Sequence, residues 1–155
     1  MEAGMKQSDF VIVPMEADHV PQIAALEQLC FSDPWNEQSI ASELENPLSY
    51  WLAALADGAV VGYVGSQTVL GEADVMNVAV SPQCRRCGIA KKLMLALEND
   101  LKAQDVYSLT LEVRVSNAPA IALYTELGYV QVGRRPNYYF KPKEDALILR
   151  KEWEL

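Results

Sequence analysis

Long apolar runs, a disulfide framework and an excess of basic residues are missing from this chain, and histidine occurs once. No stretch of about 18 consecutive apolar residues occurs, so nothing reads as a membrane-spanning helix. The first residues, Met1 to Asp9, carry Glu2 and Lys6 but no basic region followed by an apolar one, so no export signal is expected. Cysteine is scarce. Cys30, Cys84 and Cys87 make an odd number too small for a disulfide scaffold, and this suits a reducing cytoplasm, the expected location. Cys84-Arg-Arg-Cys87 has the spacing of half a zinc site, but Cys30 is the only other thiol. His19, the single histidine, sits beside Asp18 at the start of a helical segment, so no metal is expected. The 13 Lys and Arg against 21 Asp and Glu leave a net charge of −8, which excludes binding nucleic acid by phosphate neutralisation. The acidity suits a basic partner, or serves solubility alone. No Ser/Gly linker, low-complexity tract or internal period appears, and the 155 residues are expected to form one domain over positions 1–155.

What is present is clear hydrophobic patterning. Phe10 to Pro14 is a short apolar run, and after Asp18 the residues Val20, Ile23, Ala24, Leu26 and Leu29 recur at helical spacing. Trp35 to Leu44 reads as a second helix with Asn36 as cap, closed by Asn46-Pro47. Tyr50 to Ala56, Val60 to Leu70 and Ala73 to Val80 are rich in Val and aromatics. They are separated by Asp57-Gly58 and Gly71-Glu72, which are hairpin signals, and the last run ends at Ser81-Pro82. Ile89, Leu93, Leu97 and Leu101 mark a long amphipathic helix, and Tyr107 to Val115 a strand. Asn117 caps a further helix with Pro119 in its first turn and Gly128 at its end; strands over Tyr129 to Arg134 and Ala146 to Trp153 finish the chain. The order βαα, βββ, αβ, αββ predicts an α+β (mixed α/β) domain on one central sheet.

The stretch that carries chemistry is Asn77-Val-Ala-Val-Ser-Pro-Gln-Cys-Arg-Arg-Cys-Gly-Ile-Ala-Lys-Lys-Leu. A strand runs into a loop that opens directly into a helix. Unpaired N–H groups and the positive dipole end make such a helix start a binder of phosphate. Gly88 permits close approach of the backbone, and Arg85 and Arg86 add charge. On these grounds the loop serves any nucleotide-like ligand, or is a plain strand-to-helix turn. A Walker loop would need Gly-Lys-Ser/Thr, and the dinucleotide fingerprint would need three glycines early in a βαβ unit; neither is present.

Arg85-Arg86-Cys87-Gly88-Ile89-Ala90 matches the acetyltransferase pattern Arg/Gln-x-x-Gly-x-Gly/Ala, with Ala90 where glycine is commoner. The run Leu109-Thr-Leu-Glu-Val-Arg-Val-Ser-Asn-Ala-Pro-Ala-Ile-Ala-Leu-Tyr-Thr-Glu-Leu-Gly-Tyr follows, then Gly133-Arg-Arg-Pro-Asn-Tyr-Tyr. Together they resemble the GNAT superfamily of acetyl-CoA-dependent N-acetyltransferases, and within it the bacterial RimI family, over about Asn77 to Asp145. The resemblance implies a mixed, mostly antiparallel sheet, flanked by helices and splayed between its fourth and fifth strands, with the arm of acetyl-CoA in the gap. It further implies that the backbone of Val78, Ala79 and Val80 holds the pantetheine and acetyl carbonyl. Arg85, Arg86, Cys87, Gly88, Ile89, Ala90 and Lys91 would wrap the pyrophosphate, and Asn117 would touch the cofactor arm.

Acetyl transfer to an amine needs a neutral amine, an acceptor for its proton, and a proton for the departing thiolate. Strand alternation puts Leu109, Leu111 and Val113 on one face and Thr110, Glu112 and Arg114 on the other. By the resemblance Glu112 is the general base, and Tyr124, two helical turns after Asn117, the general acid. The plain alternatives are a solvated Glu112 paired with Arg114 and a core Tyr124 in the Leu123/Leu127 stripe. The resemblance also implies an acceptor, the N-terminal alanine of the basic small-subunit ribosomal protein numbered eighteen. An α-amine, with a pKa of about 7.7 to 8.0 against about 10.4 for lysine, is far more often neutral at physiological pH. Trp35, Arg135, Asn137, Tyr138 and Tyr139 would line the groove for its N-terminal segment, or stand as loop and edge-strand aromatics. Rival readings are a GNAT enzyme for lysine, a polyamine or another small amine, and a noncatalytic acyl-CoA-binding module.

Overall fold

The computed structural model describes residues 9–155, so most of the Met1 to Asp9 segment lies outside the described residues. Seven strands, β1 (Val11–Pro14), β2 (Ser49–Ala56), β3 (Ala59–Val69), β4 (Glu72–Val80), β5 (Ser108–Arg114), β6 (Val130–Phe140) and β7 (Lys143–Glu152), form one sheet in the order β1-β2-β3-β4-β5-β7-β6. Helices α1 (Val20–Cys30), α2 (Glu37–Glu43), α3 (Ile89–Ala103) and α4 (Ala118–Glu126) complete the predicted order. Every strand pairing is antiparallel except that of β4 with β5.

Local chemistry explains the boundaries. Asp57 and Gly58 take positive φ of 50° and 80°, and Leu70 and Gly71 of 52° and 81°, so both hairpins close through two residues in the left-handed region. The second turn is thus Leu70-Gly71 rather than the predicted Gly71-Glu72. Asn36 accepts the Ser39 N–H at 2.7 Å and Asn117 the Ala120 N–H at 3.3 Å, so both predicted caps form.

The sheet buries both faces. On one, Leu93, Met94, Leu97 and Leu101 of α3 pack on Leu52, Val64, Leu109, Leu111 and Val113. On the other, Ile23 and Leu26 of α1 and Ile40 of α2 pack on Trp51, Tyr63 and Ala79. Trp51 stacks on Tyr63 with ring centroids 5.8 Å apart and lies over Gly65, where a Cβ would stand 2.2 Å from the indole. Only glycine fits there.

The feature that matters for function is a divergence in mid-sheet. β4 and β5 pair only at Glu72–Ser108, Ala73–Leu109 and Asp74–Thr110. Beyond that, β4 stays with β3 and β5 with β7, so the two strands part. Met76 is an extra residue in β4, since Gly65 pairs with Asn77 while Ser66 pairs with Val75. Such a bulge bends a strand locally. The sheet is therefore splayed between its fourth and fifth strands, as expected.

Candidate active site

The cleft between β4 and β5 is walled by two strand edges that have lost each other as hydrogen-bond partners. Val78, Ala79 and Val80 lie on the β4 side, opposite Val64, Tyr63 and Gly62 of β3. Pro82–Cys84 then makes one 3-10 turn, and Gly88 at φ 81° is the N-cap of α3 with no side-chain capping bond. The 15-residue helix thus begins with its amides open toward the end of the cleft. Around this start, Arg86 is at φ 65°, Arg85 Nη2 is 3.6 Å from Cys30 Sγ, and the Cys87 thiol is 3.6 Å from the Arg85 carbonyl. Ile89 is buried in the core beneath, with Ala90 beside it half-buried. Lys91 pairs at 3.1 Å with Glu126 of α4, so in this state its ammonium ties two helices together.

Across the cleft, Glu112 stands on the exposed-side row of β5, two residues past the last β4 pairing. Its carboxylate does not pair with Arg114, as the plain reading had it. Arg114 instead binds Glu144 at 3.2 Å and donates to the Pro142 carbonyl at 2.8 Å. Arg135 of β6 takes its place, with Nε 3.0 Å from Glu112 Oε2. That contact lacks hydrogen-bond geometry. Oε2 is shielded from solvent yet accepts no hydrogen bond from the described residues. Held by an ion pair without a hydrogen bond, this acceptor favours a proton donor brought to it.

Tyr124 is 5% exposed and packs edge-on to Tyr129 with centroids 5.8 Å apart. Burial, with Tyr139 adding a smaller push, raises its hydroxyl to about 12, so it holds its proton at every working pH. Tyr139 is likewise raised to about 12, by burial first and then by the Glu112 charge, and Tyr138 is raised by burial and by the same carboxylate. The Arg114 guanidinium lies over the Tyr139 ring at 4.2 Å. Arg135, Tyr138 and Tyr139 are thus gathered around Glu112, and Tyr124 adjoins this group through Tyr139.

The segment that supplies three of them departs from its predicted form. β6 does not stop at Arg134 but runs to Phe140, and β7 begins at Lys143 rather than Ala146. The ladder skips between Arg135 and Tyr139, with Asn137 at φ 53°. Asp145 holds the bulge by accepting from Arg134 Nε at 2.7 Å and the Asn137 N–H at 2.8 Å. These extra bonds, invisible in the local sequence, let the strand continue.

Trp35 lies elsewhere, in an open cleft of about 340 Å³ with Asp33, Pro34, Asn36 and Ser39, its ring edge-on to Trp51 at 5.5 Å. It touches none of the β5–β6 cluster directly. The two regions meet where Ser32 donates to the Lys141 carbonyl at 2.8 Å, joining the α1–α2 connection to the β6–β7 turn. Asn117 keeps its side chain on the α4 cap. Among the described residues no group of His, Cys, Asp or Glu could hold a metal, and no helix is long and apolar enough to cross a membrane.

Sequence reading passed over Glu27, Asn77 as a side chain, and Asp145. A carboxylate at Glu27, in line with Val20 and Ile23 on the buried stripe of α1, was the one available signal.

The acetyltransferase (GNAT) family model matches residues 20–129. The chain belongs to that family. It is 37% identical over 141 residues to the [ribosomal protein bS18]-alanine N-acetyltransferase of Escherichia coli strain K12, covering 89% of this chain and 94% of the relative. A crystal structure of the ribosomal-protein-S18-alanine N-acetyltransferase from Escherichia coli superposes with a TM-score of 0.87 at 33% identity, covering 94% of this chain and 95% of that one. Ard1 from Thermoplasma volcanium shares the fold, with a TM-score of 0.86 at 23% identity, covering 95% of this chain and 99% of that one. Within the GNAT family the chain is of the RimI type, an acetyl-CoA-dependent N-acetyltransferase. The open helix start with Gly88, and the unpaired edge of β4, fit a ligand with an extended amide arm and a pyrophosphate.

Proposed function

We propose that this GNAT enzyme acetylates the N-terminal alanine of the ribosomal protein bS18, the acceptor named for its relatives. The observation that carries the mechanism is the shielded, hydrogen-bond-free Oε2 of Glu112 at the point where β4 and β5 part. Acetyl-CoA supplies a thioester, already activated toward an amine. The edge of Val78, Ala79 and Val80 offers the amide arm a strand to lie against, and Arg85 to Lys91 face its phosphates. A neutral α-amine entering past Tyr138 and Tyr139 displaces Arg135 from Glu112. As its nitrogen bonds to the acetyl carbon, Oε2 takes the proton, directly or through water. The C–S bond breaks, and Tyr124, protonated throughout because burial raises it, gives its proton to the departing sulfur. Asn117 and Trp35 complete the reading, the first beside the arm and the second on the acceptor wall.

The domain is expected to be a single unit over 1–155, working in the cytoplasm on the N-terminal segment of a basic protein, without metal or nucleic acid. The test is CoA release with two peptides, one beginning Ala-Arg-Tyr and one blocked at its α-amine but carrying lysine. Turnover of the first alone is the expected result. Equal turnover of the blocked peptide moves the acceptor to lysine or small amines, and acetyl-CoA binding with no turnover of either overturns the reading.

A further inference from the structure

Glu27 is a carboxylate that the reaction above does not use. It sits on α1 with no exposed surface, and among the described residues no cationic side chain pairs with it. Glu98, buried on the other face, has Lys151 at 2.7 Å. Glu27 instead receives three neutral donors from three elements. The Trp35 N–H donates to Oε1 at 2.8 Å, Asn77 Nδ2 donates to Oε2 at 2.6 Å, and the Tyr63 hydroxyl of β3 donates to Oε2. An uncompensated buried carboxylate is costly, and apolar residues would fill the site more cheaply if packing were its only task.

Its partners give it another task. Trp35 belongs to the wall of the 340 Å³ cleft, and Asn77 follows the Met76 bulge, where β4 is leaving β5. Asn77 Oδ1 also lies 3.2 Å from the Val78 N–H, on the strand edge assigned to the acyl group. One carboxylate therefore spans the acceptor wall and the acyl-bearing strand.

We propose that Glu27 is a positioning residue for the acceptor, fixing the separation between Trp35 and the Asn77–Val78 segment so that the amine arrives in line with the thioester. This rests on the functional reading above. Tyr63, Asn77 and the Trp35 amide are the groups that face Glu27 from the elements packed on it, and none of them carries a charge. Burial raises its pKa to about 7. Protonation removes one accepting position and loosens one of the three donors, so positioning weakens as pH falls through that range.

The experiment compares the full chain with Glu27→Gln in the CoA-release assay from pH 6 to 8.5, alongside tryptophan emission. With the variant, KM for the alanine peptide is expected to rise roughly tenfold at pH 8, the worth of one charge-assisted hydrogen bond. KM for acetyl-CoA stays within about twofold and kcat within about threefold, since neither cofactor loop nor base is touched. The ratio of peptide KM values, in which the acceptor's own ionisation cancels, falls toward one below pH 7. Wild-type emission, from Trp35 and Trp51 beside the network, shows a transition near pH 7 that the variant lacks. Equal changes in both KM values, a ratio flat with pH, or no wild-type transition overturns the proposal. If Glu27→Gln does not fold, Tyr63→Phe keeps the carboxylate and removes one donor. It should move the emission transition to higher pH, and an unmoved transition refutes the role. Absence of turnover by wild type would sink the functional reading, while the emission titration still decides the link between Glu27 and Trp35.

Discussion

Replacing Glu112 by Gln keeps the shape of the side chain and removes its capacity to take a proton. Two magnitudes separate a catalytic from a structural effect. The lost contact is the ion pair to Arg135, whose side chain is 55% exposed, against 28% for Glu112. Pairs exposed to that degree contribute about 0 to 1 kcal/mol, and this one lacks hydrogen-bond geometry, so a shift of Tm beyond about 3 °C is not expected. Removing a general base, in contrast, costs roughly 10² to 10⁴ in rate, or about 3 to 5 kcal/mol of transition-state stabilisation. CoA release at saturating peptide, with acetyl-CoA affinity measured separately by calorimetry, reads both. The expected outcome is an unchanged affinity for acetyl-CoA, an unchanged melt, and a kcat lower by at least a hundredfold. A variant that keeps kcat within threefold refutes Glu112 as base, and one that loses activity together with its fold refutes the packing argument.

Tyr124→Phe keeps the ring on Tyr129 and should lower kcat by roughly tenfold to a hundredfold at constant stability; because burial holds the wild-type hydroxyl protonated up to about 12, no loss of its proton should appear in a kcat profile below pH 10. Gly65→Ala drives a Cβ into the Trp51 ring, 2.2 Å away, and should destabilise by about 3 kcal/mol in a urea melt, overpacking being the cause. Lys151→Met strands the Glu98 carboxylate, 2% exposed, with only the Tyr129 hydroxyl at 2.9 Å, and should cost about 3 kcal/mol by the same assay. Glu27 is raised from 4.5 to about 7, so between those values the folded chain holds a proton that the unfolded chain has released. Its contribution to stability is present below pH 4.5 and lost as pH rises to about 7. Wild type should therefore melt lower at pH 8 than at pH 6 by more than Glu27→Gln does, and equal differences would refute the assignment.

Much of this protein was legible in the chain because local physics wrote it there. Period-two alternation in Leu109 to Arg114 put Glu112 on the open row of β5, and helical spacing placed Asn117 and Tyr124 on one helix. Asn36, Asn117, Asp57-Gly58 and Gly88 each mark a boundary by short-range hydrogen bonding or left-handed backbone, needing no distant partner. Motif spacing named the family.

What the sequence could not decide depends on residues far apart meeting. Glu112 takes Arg135 rather than its neighbour Arg114 because β7 lies between β5 and β6 and brings Glu144 to Arg114. The Arg134 to Tyr139 run stays in the sheet because Asp145, across the hairpin, holds the bulge. Helical spacing puts Glu27 on the buried stripe of α1, but only the fold brings Trp35, Tyr63 and Asn77 around it from three elements. Periodicity reports which way a side chain faces; only the packed sheet decides what it meets there, and burial then sets its charge.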